Sequence, residues 1–261
     1  MARVRLDQLL VDRGLARSTA EAQAVILSGS VILEGAGSRT LKPGQAVPTE
    51  AGLQLVPAPR WASRAGEKLA AALDAFAIDP SGLACLDAGA STGGFTDALL
   101  EGGARIVYAV DVGRGQLLER LRRDPRVVSM ERTNLRELSS LPEPIDLATL
   151  DVSFISLRLV LPAVHHLLTA TGRCVALVKP QFEARRGVVP RRGIVRDPAV
   201  HREVLERFAV DATTAGFVPS GLIRSPIAGT DGNVEFLTLL VQAGEPDVDA
   251  WQRLIAEATP D

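Results

Sequence analysis

The stretch LDAGASTGGFTD, Leu86 to Asp97, decides the fold of this 261-residue chain. The apolar residues from Ala84 run into Asp87 as a strand, and those from Gly94 to Gly102 are spaced as in a helix. Between them lies a turn rich in glycine (Gly89, Gly93 and Gly94), residues that let a backbone approach a ligand closely. A strand that passes through such a turn into a helix places the turn at the carboxyl edge of an α/β sheet, where these folds bind ligands. A second strand, 106–111, ends in Asp111, an acid suited to a ribose diol. The spacing is D-x-G-x-x-x-G-G rather than the G-x-G-x-x-G of dinucleotide folds, and it suits S-adenosylmethionine better than a pyrophosphate.

Outward from this loop the pattern alternates. Strands are predicted at 84–87, 106–111, 127–131, 145–151, 174–179, 221–225 and 235–241, and helices at 65–76, 94–102, 115–123, 155–169 and 198–215. Alternation of this kind means a largely parallel sheet covered on both faces. The front of the chain differs. Leu6, Leu9 and Leu10 share a helical face that Gly14 can stop, and Ser18 with Glu21 has capping-box spacing before Ala22, Val25 and Ile26. Short strands at 31–33 and 54–56 complete a small α+β module. Pro57, Pro59 and Trp61 then read as a linker, with Trp61 a candidate to dock the two parts. The predicted organisation is 1–57, a linker at 58–64, an α/β domain at 65–245, and an acidic helix or tail at 246–261.

Composition narrows the function. No apolar run approaches the length of a membrane helix, since Leu157 to Leu168 is broken by Arg158, Pro162, His165 and His166. The N-terminus lacks the apolar core of a signal peptide, which points to a cytoplasmic protein. Cys85 and Cys174 sit in strand-like surroundings and read as buried hydrophobes, not as a disulfide or a metal site. The net charge of −2 hides an arginine cluster: Arg185, Arg186, Arg191, Arg192 and Arg196, with no acid among them. Local basic surface of that kind is what phosphate contacts require. Of 29 basic residues only Lys42, Lys68 and Lys179 are lysines. In so arginine-rich a chain, Lys179 at the end of the apolar run from Cys174 stands out, because a desolvated lysine can lose its proton and arginine cannot.

The strings LDAGASTGGFTD, VDVGRGQL, RTN, LDVSFISL, LVKPQFE and GNVEF, in this order, closely resemble the TlyA family of rRNA 2′-O-methyltransferases, related to the FtsJ group. Residues 3–35 likewise resemble a small RNA-binding domain shared with a ribosomal protein, pseudouridine synthases and tyrosyl-tRNA synthetases. The resemblance covers almost the whole chain and implies a Rossmann-like class I methyltransferase with a mostly parallel seven-stranded sheet. It implies S-adenosylmethionine as cofactor, rRNA or ribosomal subunits as partner, and no metal or membrane. It places a Lys-Asp-Lys-Glu tetrad on Lys68, Asp151, Lys179 and Glu235, with Lys179 as base or hydroxyl-orienting group. It lines the cofactor pocket with Asp87, Gly89, Ala90, Ser91, Gly93, Gly94, Phe95, Asp111, Asn134 and Asp151. Asn134 is expected to reach the adenine, and Phe154 to stack on an exposed base. Arg3, Arg5, Arg17, Arg132, Arg185, Arg186, Arg191 and Arg192 are the expected RNA contacts. The linker departs from the family pattern at Pro59 and Ala62. The short segment before Arg3 leans the expectation towards a large-subunit cytidine. Two readings from other classes compete: an assembly factor with an inactive domain, and a membrane-lytic protein, which needs apolar or amphipathic segments the sequence lacks.

Overall fold

The computed structural model describes residues 2–27, 29–34, 41–56, 60–185, 187–190, 193–229 and 232–260. The chain forms two compact units, Met1–Arg60 and Trp61–Asp261.

In the first unit, strand β1 (Arg3–Arg5) leads directly into helix α1 (Leu6–Asp12), and α2 (Thr19–Leu27) follows. Strands β2 (Val31–Leu33), β3 (Ala46–Pro48) and β4 (Leu53–Leu55) form two antiparallel ladders, β1 with β3 and β2 with β4. Leu6, Leu9, Leu10, Ala22, Ile26, Val31 and Val47 make the core. The Ser18 hydroxyl caps α2 by accepting from Glu21 N, and the Glu21 carboxylate reaches back to Arg17 N. A charge holds this unit together. Asp7 is fully buried, and it accepts from the Arg5 guanidinium at 2.7 and 3.0 Å, from Gln23 Nε2 at 3.0 Å and from its neighbour Gln8 N at 2.9 Å. One carboxylate thereby ties β1, α1 and α2.

The second unit is a seven-stranded sheet. After α3 (Ala65–Ala75) come β5 (Ala84–Ala88), α4 (Gly94–Glu101), β6 (Ile106–Val110), α5 (Glu119–Arg122), β7 (Val127–Met130), β8 (Ile145–Leu150), α6 (Leu161–Leu167), β9 (Leu168–Val178), α7 (Pro180–Glu183), α8 (Pro198–Thr214), β10 (Val218–Arg224), β11 (Phe236–Val241) and α9 (Val248–Ala258). The strand order is β10-β11-β9-β8-β5-β6-β7, and only β11 runs against its neighbours. This is the Rossmann-like arrangement of class I methyltransferases implied by the resemblance. Each face of the sheet carries its own apolar cluster, one built on β8 with α6 and α8 and one on α3 with α4.

Some elements differ from expectation. The helix expected over 155–169 is a 3-10 turn (Leu157–Leu159) followed by the shorter α6, because Pro162 lacks the N–H an interior helical position needs and sits in the first turn instead. β9 begins at Leu168, six residues before the expected start at Cys174. Helix 115–123 shrinks to α5, since Gly115 turns the chain at φ 65°. The acidic C-terminal segment is a helix that buries Trp251, Ile255 and Ala258, so its apolar stripe overrides its charge. Trp61 belongs to the second unit, where its buried indole donates to Glu101 Oε2. No helix among the described residues is long and apolar enough to cross a membrane.

The Arg5 guanidinium holds the Asp7 carboxyl down at about 2. A depressed carboxyl contributes stability that is present above its unfolded value near 4 and is lost as pH falls through about 2. Asp7→Ala removes a hydrogen-bonded charge, which costs about 1.5–3 kcal/mol. Hydrogen exchange should therefore show faster amides in α1 and α2 of the variant at neutral pH, with the difference shrinking towards pH 2.

Candidate active site

The loops that leave the carboxyl ends of β5, β6, β7 and β8 enclose a cleft of about 370 Å³ lined by Gly89, Ser91, Val110, Asp111, Val112, Gln116, Thr133, Asn134, Leu135, Asp151 and the segment 152–155. A smaller cleft of about 100 Å³ shares Gly89, Ser91 and Asp151 and runs towards Ser63 and Ala65 at the start of α3. Gly89 must be glycine. At φ 86° a Cβ there would stand 2.6 Å from the Asp151 carbonyl oxygen, so the β5 and β8 loops pass each other only without a side chain. Asp111 fastens the floor: its carboxylate accepts from Ser91 N at 2.8 Å and from Gly113 N at 2.6 Å. Backbone strain gathers here. Of the four described non-glycine residues with positive φ, Ser91 (47°) and Phe154 (64°) line the cleft and Arg132 (56°) immediately precedes its residue Thr133.

At one end of the cleft two ion pairs form. Asp151 follows β8, Lys179 follows β9, and Lys179 Nζ lies 2.6 Å from Asp151 Oδ1. Glu235 precedes β11, whose Phe236 pairs with Val178, so the register sets Glu235 beside Lys179 across the two strands. Its carboxylate is 2.5 Å from Lys68 Nζ, and both groups are buried. Lys68 lies on the sheet-facing stripe of α3 together with Leu69, Ala72 and Leu73. A cation in the first turns of a helix opposes the helix dipole, and Glu235 supplies the compensation. The tetrad is thus two pairs, Lys179 with Asp151 and Lys68 with Glu235, formed by elements far apart in sequence.

Lys179 has further partners. Its Nζ donates to Ser153 Oγ at 2.9 Å and lies 5.9 Å from the Phe182 ring centroid. The Phe154 ring is 91% exposed at the cleft and sits 5.1 Å from Phe182. A core role for Phe154 is excluded by that exposure. Buried Glu183 accepts from Ser156 Oγ and from Leu157 N, both at 2.7 Å, and burial raises its carboxyl above the usual range.

Several expected pocket residues are placed elsewhere. Asp87 is fully buried, its carboxyl accepting from Thr96 Oγ1 at 2.6 Å, and it lines neither cleft. Gly93 caps α4 at φ 100°, where Leu117 and Leu121 leave no room for a Cβ, and lines neither cleft. Ala90, Gly94 and Phe95 line the smaller cleft. Asn134 lines the larger one, its amide accepting from Arg136 N and donating to Glu137 Oε1. Among the arginines, Arg5 is held by Asp7, Arg185 pairs with Glu203 at 3.0 Å, and Arg3 donates to the Ala46 carbonyl. Arg17 and Arg132 are exposed. Arg186, Arg191 and Arg192 lie outside the described residues. Sequence reasoning missed Ser153, Gln116 and Thr133 in the cleft, and Glu183 and Thr96 behind it. All five stand inside the quoted strings: Thr96 in LDAGASTGGFTD, Gln116 in VDVGRGQL, Thr133 in RTN, Ser153 in LDVSFISL and Glu183 in LVKPQFE.

Known proteins share these features. Residues 61–241 match the model of the FtsJ-like methyltransferases. The chain is 47% identical over 248 residues to YqxC of Bacillus subtilis, named as an rRNA methyltransferase, covering 92% of this chain and 86% of that protein. It is 46% identical over 244 residues to the 16S/23S rRNA (cytidine-2′-O)-methyltransferase TlyA of Mycobacterium tuberculosis, with 91% and 90% covered. A solved structure of a hemolysin-like protein from Streptococcus thermophilus superposes with a TM-score of 0.73 at 42% identity, over 99% of this chain and 96% of that one.

Burial pushes the Asp87 carboxyl up to about 7, against the hydrogen bond from Thr96. A raised carboxyl keeps its proton in the fold after the unfolded chain has lost it, so stability falls as pH rises from about 4 to about 7 and is level above that. Asp87→Asn cannot ionise. Its melting temperature relative to wild type should climb between pH 5 and 7 and then flatten; parallel profiles for the two proteins would refute the buried-carboxyl assignment.

Proposed function

The chain belongs to the FtsJ-like methyltransferase family, and from that membership we propose that it methylates the 2′-hydroxyl of a cytidine ribose in rRNA, using S-adenosylmethionine. The observation that carries the reading is the Lys179–Asp151 pair standing at one end of a cleft walled by the glycine loop. When bound, the cofactor supplies an electrophilic methyl group on sulfur. A 370 Å³ cleft with a glycine-opened floor and an acid at the end of β6 suits that molecule, with Gly89, Ser91, Asp111 and Asp151 as the residues that would hold it. The name of the Mycobacterium tuberculosis relative, a 16S/23S rRNA (cytidine-2′-O)-methyltransferase, supports the substrate.

The rest is done by this chain's own side chains. A ribose hydroxyl is a weak nucleophile and needs alignment and removal of its proton. Lys179 is the base or orienting group, Asp151 fixes its amine, and the Lys68–Glu235 pair fills the adjoining buried position with no net charge. Phe154, exposed beside Lys179, offers a face on which an unstacked base can lie. The first unit binds RNA, with exposed Arg17 as a phosphate contact, and Arg132 serves the same role beside the cleft. A cytoplasmic location follows from a ribosomal substrate.

The test is transfer of labelled methyl from S-adenosylmethionine to purified large and small subunits and to naked rRNA. Label on a cytidine ribose is expected, and Lys179→Ala should lower the rate by about 100-fold or more while still binding cofactor. No label on any RNA from a folded, cofactor-binding protein overturns the enzyme reading in favour of an assembly role. Phe154→Ala removes an exposed ring, so its melting temperature should stay within a degree or two of wild type. Its methylation should nonetheless drop about 10-fold, the scale of one lost base stack.

A further inference from the structure

The segment from Asp151 to Leu157 is held at five points by the segment that follows β9. Asp151 and Ser153 both meet Lys179, the Phe154 ring packs on Phe182, and Ser156 with Leu157 bonds Glu183. The positive φ of Phe154, 64°, turns the chain at this point: the Phe154 ring stays exposed while the hydroxyl of the preceding residue meets Lys179. A strained turn pinned on both sides is how folds keep a side chain in one orientation.

We propose that Ser153 is a positioning residue that aims the Lys179 amine at the hydroxyl to be methylated. The proposal rests on the reading of Lys179 as the base. A neutral amine has two N–H bonds and one lone pair. Ser153 Oγ at 2.9 Å accepts one N–H bond, and Asp151 Oδ1 stands 2.6 Å away as the ion-pair partner. The directional bond to Ser153 fixes the rotation of the amine beside its ion-pair partner, and with it the direction of the lone pair. Without Ser153 the amine can rotate about its Cε–Nζ bond while still satisfying Asp151, and the lone pair loses its aim. In the step itself, the ribose oxygen bonds the methyl carbon, the hydroxyl proton passes to the Lys179 lone pair, and the electron pair of the broken carbon–sulfur bond stays on sulfur. Charge balances: the amine becomes an ammonium, which the Asp151 carboxylate 2.6 Å away counters and Ser153 accepts from.

Ser153 is exposed, so replacing it leaves the core intact. The experiment compares Ser153→Ala, Ser153→Thr, Lys179→Ala and the Ser153→Ala/Lys179→Ala double variant in single-turnover methylation of rRNA, with cofactor and RNA affinities measured alongside. Ser153→Ala should lower the single-turnover rate about 10-fold with both affinities unchanged, and Ser153→Thr, which keeps the hydroxyl, should recover most of the loss. In the Lys179→Ala background the serine change should have no further effect. A Ser153→Ala rate within 2-fold of wild type, with Lys179→Ala inactive, overturns this proposal and leaves the base reading standing. A Lys179→Ala protein of normal rate overturns both.

Discussion

Parallel strands deliver their carboxyl ends to one edge, and everything in the second unit of this protein that resembles chemistry follows from that constraint. Gly89, Asp111, Asp151 and Lys179 each lie within a few residues of the end of β5, β6, β8 or β9, so a cleft forms where their loops diverge. Antiparallel β11 adds what a parallel strand cannot. Because it runs the other way, the residue before its first position, Glu235, reaches the same edge as the residue after the last position of β9. One reversed strand therefore completes a set of four charges that no stretch of local sequence could assemble.

Those charges do not stabilise the fold. Removing two lysines and two carboxylates from water costs more than most ion pairs return, and well-packed apolar side chains of the same size would do as well or better. The arrangement limits the cost instead. Each lysine has a carboxylate within 2.6 Å, and the four formal charges sum to zero. Asp87 shows the alternative. Buried with a hydroxyl partner and no cation, its carboxyl is lifted to about 7, and it braces the loop from behind. The same chemical group thus serves as a charged partner of Lys179 or as a structural strut, according to what faces it.

Strain is concentrated in the same place. Ser91 and Phe154 line the cleft in left-handed backbone conformations that cost L-residues about 1–2 kcal/mol each. Each is locked by hydrogen bonds from a neighbouring loop: Asp111 holds the Ser91 amide, and Glu183 holds the turn after Phe154. Such conformations persist only when the surroundings over-determine them, and here the surroundings are loops from adjacent strands.

Much of this was legible in the chain itself. The alternating pattern specified a parallel sheet, because burial on both faces demands apolar strands and amphipathic helices. The glycine loop marked the ligand edge, and the scarcity of lysine, with the apolar run before it, singled out Lys179. The partner each polar side chain takes was not legible in the chain: Asp87 accepts from Thr96, Asn134 caps its own turn, and Arg5 holds Asp7. The division between Lys179–Asp151 and Lys68–Glu235 was likewise invisible, since the second pair joins residues 167 positions apart. Periodicity and turn chemistry are properties of neighbouring residues, and the sequence by itself determined what depends on them. Which way a polar side chain faces is settled by whichever partner relieves its burial, and only the tertiary structure brings that partner near.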